Sequence, residues 1–237
     1  FLDATTLAAV SFEDGQARLW HIDLARAETR LLSADYPYIG QLCAHAGAVV
    51  FSVGWAGAGA ELVRISGETG AAAILRSAHA GLLDEADTST PQAVRYETSH
   101  GDTAHGFFYA PKNHAYTAPA GDKPPLIVLV HGGPTAGASA TWSANVQYFT
   151  TRGFAVLDVN YRGSTGFGRA YRDRLRGEWG VLDVDDCVAG ARYLAAQGHV
   201  DPTRLVIRGG SAGGYTVLQA LANHAVFAAG SCHYGIS

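Results

Sequence analysis

A serine between glycines opens the chemistry. Residues 209–213 read Gly-Gly-Ser-Ala-Gly, set in the run "RLVIRGGSAGGYTVLQAL". An apolar run precedes Ser211 and a helix-like run follows it. A strand, a tight turn bearing serine and a helix form the mounting of a nucleophilic serine. Glycines at 209 and 213 suit a turn in which strand and helix approach too closely for side chains. The chemistry is acyl transfer, with Ser211 attacking a carbonyl and the amide of Ala212, at the positive end of the helix, donating to the oxyanion. The pentapeptide alone is a weak signal in a chain with 29 glycines. The strand before it and the helix after it give it weight.

A second element, His131-Gly132-Gly133-Pro134, directly follows the strand-like "PLIVLV". A glycine-rich loop at this place, with two glycines, can turn its backbone amides toward the same oxyanion. His131 precedes the serine, against the order serine, acid, histidine of this type of site. It reads as a loop-holding residue. The third element is "NYRGSTGFGRAYR", residues 160–172. It lacks the Gly-Lys-Ser/Thr ending of a phosphate-binding loop. Arg162 is open to two readings: a residue lining the substrate site, or a salt-bridged residue that locks neighbouring segments.

Other polar residues carry less. His100, Asp102 and His105 lack a metal-binding helical pattern and read as surface turn residues. Asp183, Asp185 and Asp186 stand where a helix begins, favoured by its dipole. They precede Ser211, out of order for a triad acid. His224 and His233 follow it with no acid beside them. No Asp or Glu occurs among the 26 residues after Ser211. Neither a metal nor another cofactor is implied.

The elements that must position these residues alternate from residue 126 onward. "LIVLV" reads as a continuous apolar strand buried on both faces, "FAVLDVN" as another buried strand, "RLVIRG" as a strand and "AAGSCHYGI" as another apolar strand. "WSANVQYFTTRG", "AYRDRLRGEWG", "DVDDCVAGARYLAAQG" and "AGGYTVLQALANH" read as helices. Val184, Cys187, Val188, Ala191 and Leu194 recur at helical spacing. The pattern is that of a doubly wound, parallel α/β sheet. Before it, "AVRYETSHGDTAHGFFYAP" reads as a hairpin around Gly101-Asp102, and "DEADTSTP", residues 84–91, as a boundary. Residues 1–85 read as all-β, six short strand-like runs broken by Gly, Asp and Ser clusters. "ARLWHIDLARAETRLLSA" aligns with "AELVRISGETGAAAILRSA", carrying Leu19 onto Leu62 at a step of 43 residues. A repeat of that length fits a blade of a β-propeller, which has about four strands. A small antiparallel domain is the alternative.

Composition sets the bounds. Hydrophobic residues make up 48% and charged residues 16%, with a net charge of −4 and no basic block. These values suit a folded domain and disfavour nucleic acid as a partner. The apolar runs are too short to cross a membrane, and the N-terminus makes a poor signal peptide. Cys43, Cys187 and Cys232 are scattered, which favours buried thiols in a reducing compartment, the cytoplasm.

Taken in order, "HGGP", "NYRGSTGFGRAYR", "EWGVLDVDDC" and "RGGSAGGY" make residues 88–237 resemble the prolyl oligopeptidase family of serine peptidases. The likeness is to its acylaminoacyl peptidase and bacterial aminopeptidase branch. The resemblance implies an incomplete α/β-hydrolase domain over residues 86–237, preceded by a propeller remnant over residues 1–85. It implies that Ser211 is the nucleophile, that Gly133 and Ala212 are the oxyanion donors, and that the triad acid and histidine lie in a later part of the protein. The chain then reads as the middle of a longer protein, whose remainder is its partner. The substrate implied is a short peptide or aminoacyl amide. An esterase of the same fold is the runner-up, and a non-catalytic binding module is the rival from another class.

Overall fold

The computed structural model describes residues 1–78 and 83–236. The chain divides into two compact units, Phe1–Leu83 with Ser139–Trp142, and Asp84–Ala138 with Ser143–Ser237. The short excursion 139–142, read from the sequence as part of the second domain, groups with the first. Within that unit the Trp142 amide donates to the Trp55 carbonyl at 2.6 Å.

The first unit is two antiparallel meanders. Strands β1 (Thr6–Glu13), β2 (Gln16–Asp23) and β3 (Glu28–Tyr36) form one sheet. Strands β4 (Tyr38–His45), β5 (Ala48–Gly54), β6 (Glu61–Ser66) and β7 (Ala72–Ser77) form the other. Both contribute to one core: Ala17 and Leu19 from the first, Ile39, Phe51, Val53, Val63 and Ile65 from the second. The two aligned sequence segments are both hairpins, β2–β3 and β6–β7. Their register differs from the expected one. Leu19 is fully buried, whereas Leu62 is 40% exposed and Val63 lies inside. The repeat is therefore offset by one residue, because a slip of one position reverses which face a strand side chain occupies.

The second unit is built on one mixed sheet. Its strands are β8 (Gln92–Glu97), β9 (Thr103–Tyr109), β10 (Leu126–Val130), β11 (Ala155–Asn160), β12 (Leu205–Gly210) and β13 (Ala229–His233). They lie in the order β13-β12-β10-β11-β9-β8. Strands β10 to β13 are mutually parallel, and the β8–β9 hairpin adds to β11 antiparallel. The helices are α1 (Ala144–Thr150), α2 (Arg169–Asp173), α3 (Leu182–Ala196) and α4 (Ala212–Asn223). Leu126, Val128, Val130, Leu157, Val159 and Ile207 pack with α3 and α4, and all five residues of the expected α3 stripe are buried there. The helix expected over "AYRDRLRGEWG" is only five residues long. It stops at Asp173, and the turns that follow contain Gly177 and Gly180 at φ of +79° and +89°.

Cys187 is buried as expected, but Cys43 and Cys232 are exposed, and all three are free thiols. Among the described residues no helix is long and apolar enough to cross a membrane.

Candidate active site

The strand order locates the site before any side chain is considered. The chain leaves β10, pairs β11 on one side, then crosses to β12 on the other. The crevice beyond the carboxyl ends of β10 and β12 is the point where the winding reverses, and such points are where open α/β sheets bind ligands. Val130 and Gly209 pair level at the ends of these strands. "HGGP" and "GGSAGG" therefore emerge side by side.

Ser211 occupies φ 54°, ψ −123°, and α4 begins at the next residue. Its amide donates to the His233 carbonyl at 3.0 Å, and its carbonyl accepts from the Tyr215 amide at 3.1 Å. The turn is thus tied to β13 on one side and to the first turn of α4 on the other. The glycines around it are required by space. A Cβ on Gly209 would stand 2.5 Å from the Gly213 carbonyl oxygen; one on Gly213 would strike the Val130 and His131 carbonyls. Ala212 is buried as the first residue of α4. Its amide is among those a helix start leaves without an intrahelical acceptor.

The loop after β10 lies against the serine. A Cβ on Gly132 would stand 3.4 Å from Ser211 Cβ and 3.9 Å from its Oγ. Gly133 adopts φ +130°, and a Cβ there would overlap the Thr135 and Ala136 amides. The structure thus brings Ser211, Ala212 and the Gly132-Gly133 loop together.

"NYRGSTG" clamps that loop. Asn160 Oδ1 accepts from the Ala138 amide at 2.7 Å, and Asn160 Nδ2 donates to the Ala138 carbonyl at 3.1 Å. The Tyr161 hydroxyl donates to the Pro134 carbonyl at 2.8 Å, and the Thr165 amide to Ala136 at 2.7 Å. His131 stacks on Tyr161 at 4.3 Å. Its Nδ1–H donates to the Gly132 carbonyl at 2.8 Å, which leaves Nε2 to accept from the Ser164 hydroxyl at 2.8 Å. That is the neutral ring, and burial holds its pKa below the usual histidine value. His131 is a loop-holding residue.

Arg162 does not line the crevice. It is 1% exposed, and its guanidinium bonds to Asp186 at 2.7 and 3.0 Å, to Ser99 Oγ at 2.7 Å, and to Asp102 and the Ser99 carbonyl at 3.2 Å. With every donor engaged away from Ser211, the geometry replaces the substrate-lining reading with the locking one. Asp183 and Asp185 stand in the first turn of α3, as expected, and Asp183 and Asp186 are in addition buried tethers. Asp183 accepts from the Gly180 amide at 2.6 Å and from the Thr216 hydroxyl at 2.5 Å. Asp102 and His105 are also more than surface turn residues: Asp102 pairs with Arg174, and His105 stacks on Phe167 at 4.3 Å. His224 caps the end of α4, and His233 is exposed, its ring near Ser231 Oγ at 3.1 Å. Among the described residues no group of His, Cys, Asp or Glu is arranged to hold a metal ion.

A mixed sheet in this order, with a serine on a positive-φ turn between its fifth strand and the next helix, is an α/β-hydrolase domain. Residues 140–237 match the model of the prolyl oligopeptidase family. A 97-residue stretch is 42% identical to dipeptidyl aminopeptidase BIII of Pseudoxanthomonas mexicana, covering 41% of this chain and 14% of that protein. A 91-residue stretch is 37% identical to the acylamino-acid-releasing enzyme of Arabidopsis thaliana, covering 38% of this chain and 12% of that one. The solved structure of a puromycin-hydrolyzing peptidase of Mycobacterium tuberculosis superposes on all of this chain with a TM-score of 0.88 and 42% identity. The chain covers 37% of that structure's length. Over residues 140–237 the chain is similar to the serine peptidases of the prolyl oligopeptidase family, and it spans well under half the length of the relatives it matches. Its antiparallel sheets and mixed sheet correspond to the end of that fold's propeller and the start of its hydrolase domain.

Proposed function

We propose that the whole protein hydrolyses short peptides or aminoacyl amides through an acyl-enzyme on Ser211. The observation that carries this reading is the positive-φ serine at the switch point with the Gly132-Gly133 loop against it. Ser211 Oγ attacks the carbonyl carbon. The amides of Gly133 and Ala212 stabilise the oxyanion, each donor being worth about 3–4 kcal/mol of barrier. A histidine outside this chain takes the serine proton and passes it to the leaving amine, held by an acid also outside it. Water then releases the acyl group. The similarity to an aminopeptidase, an acylamino-acid-releasing enzyme and a puromycin-hydrolyzing peptidase supports an amide substrate over an ester.

Aminoacyl anilides and puromycin offered to the whole protein test the reading. Hydrolysis is expected, with Ser211→Ala lowering kcat by several orders of magnitude, up to about 10⁶-fold, at little change in KM. The 237-residue chain alone, lacking the base, is expected to be inactive. Undiminished hydrolysis by Ser211→Ala, or Ser211-dependent turnover by the 237-residue chain, contradicts it.

A further inference from the structure

An open cavity of about 530 Å³ adjoins the loop that carries Gly133. Pro134 and Thr135 form one wall, Leu175 and Trp179 supply apolar surface, and Arg172 and Arg176 stand at it with Asp173. The neighbouring Arg174 turns away to Asp102. Asp173 Oδ1 is shared between the two cavity arginines, 3.6 Å from Arg172 Nε and 3.3 Å from Arg176. One carboxylate between two guanidinium groups leaves the cavity one positive charge in excess.

Trp179 adds a second observation. Its ring packs on Tyr215 at 4.7 Å, and its Nε1–H is shielded from water without a hydrogen-bond partner. Being shielded, that N–H is out of reach of a ligand in the open cavity, to which Trp179 offers apolar surface, and Asp173 Oδ1 is likewise shielded with no hydrogen-bond partner. Gly132 abuts Ser211, and Thr135 is three residues further along the same loop. At about 3.3–3.6 Å per extended residue, a substrate held at Ser211 reaches this wall within a few residues.

We propose that this cavity is a carboxylate-binding subsite, so that the enzyme favours substrates with a carboxylate within about two residues of the bond cleaved. Arg172 and Arg176 hold the carboxylate, and Trp179 supplies an apolar face. The carboxylate has two possible sources, an acidic side chain on the acyl part or the free α-carboxylate of the leaving amino acid. The inference rests on the acyl-transfer reading of Ser211.

The test uses the whole protein and two matched substrate pairs. One pair differs by Glu against Gln in the acyl part, the other by a free carboxylate against a carboxamide on the leaving residue. Replacing both arginines, R172Q with R176Q, is expected to raise KM about five- to tenfold for the carboxylate member of the responsive pair only. The kcat and the KM of the neutral members stay as they were. The pair that responds identifies the source. Equal changes for charged and neutral members, or none, overturn the subsite while leaving the Ser211 reading intact. Calorimetry on Ser211→Ala separates the two further. N-acetyl-dipeptide acids and their amides should bind with the same preference, and R172Q with R176Q should weaken only the acids. Equal binding of acid and amide overturns the subsite whether or not any substrate is hydrolysed.

Discussion

Ser211 holds a backbone conformation that costs a residue with a side chain about 1–3 kcal/mol, and its neighbours hold it there. The Gly213 Cα lies so near the Val130 and His131 carbonyls that no side chain fits. Gly213→Ala is expected to destabilise the domain by about 1–3 kcal/mol through overpacking, read as a lower Tm, and to displace the serine. An unchanged Tm would show that the turn has room the geometry denies. His131 makes a pH prediction. Burial lowers its folded pKa below the free value of 6.5, so the unfolded chain binds the proton more readily. Its contribution to stability is complete above about pH 6.5 and is lost as pH falls below it. Unfolding midpoints measured from pH 7 to pH 5 should decline, and His131→Gln should flatten that decline. A decline unaltered in the variant would remove His131 from the account.

At the scale of elements, the Arg162–Asp186 pair joins the start of the loop after β11 to α3, and through Ser99 and Asp102 to the β8–β9 turn. Asp186→Ala leaves a buried guanidinium uncompensated, and its expected cost is about 3–5 kcal/mol. The double variant Arg162→Met, Asp186→Leu should cost much less. Equal losses in urea titrations of the two would contradict the assignment of a buried, mutually dependent pair. The partner of Arg162 was not legible in the sequence, because Asp186 lies 24 residues away and faces it only once α3 packs on the sheet. What was legible followed from local physics. "LIVLV" is strand β10, since a five-residue apolar run is too short for a helix and long enough for a strand buried on both faces. The α3 stripe was legible from its spacing. The stretch after α2 was not, because its glycines matter only where Gly180 meets Tyr215, and that contact is tertiary. The one-residue offset between Leu19 and Val63 escaped the alignment because both adjacent residues, Leu62 and Val63, are apolar.

At the scale of the molecule, three loops drawn from separate parts of the chain converge on one crevice. "HGGP" supplies the wall facing the serine, "GGSAGG" the serine, and "NYRGSTG" the clamp between them. Their order in the sequence made the family resemblance specific where each motif alone was weak. The function of the clamp emerged only from its bonds to Ala136, Ala138, Pro134 and His131. The central claim is that Ser211 is the residue that becomes acylated. The most direct measurement treats the whole protein with a serine-directed phosphonate and locates the adduct by peptide mass spectrometry. The account predicts one adduct, on Ser211, absent from Ser211→Ala along with the hydrolysis. An active protein modified at another residue, or one that turns over amides with Ser211 unmodified, would contradict it.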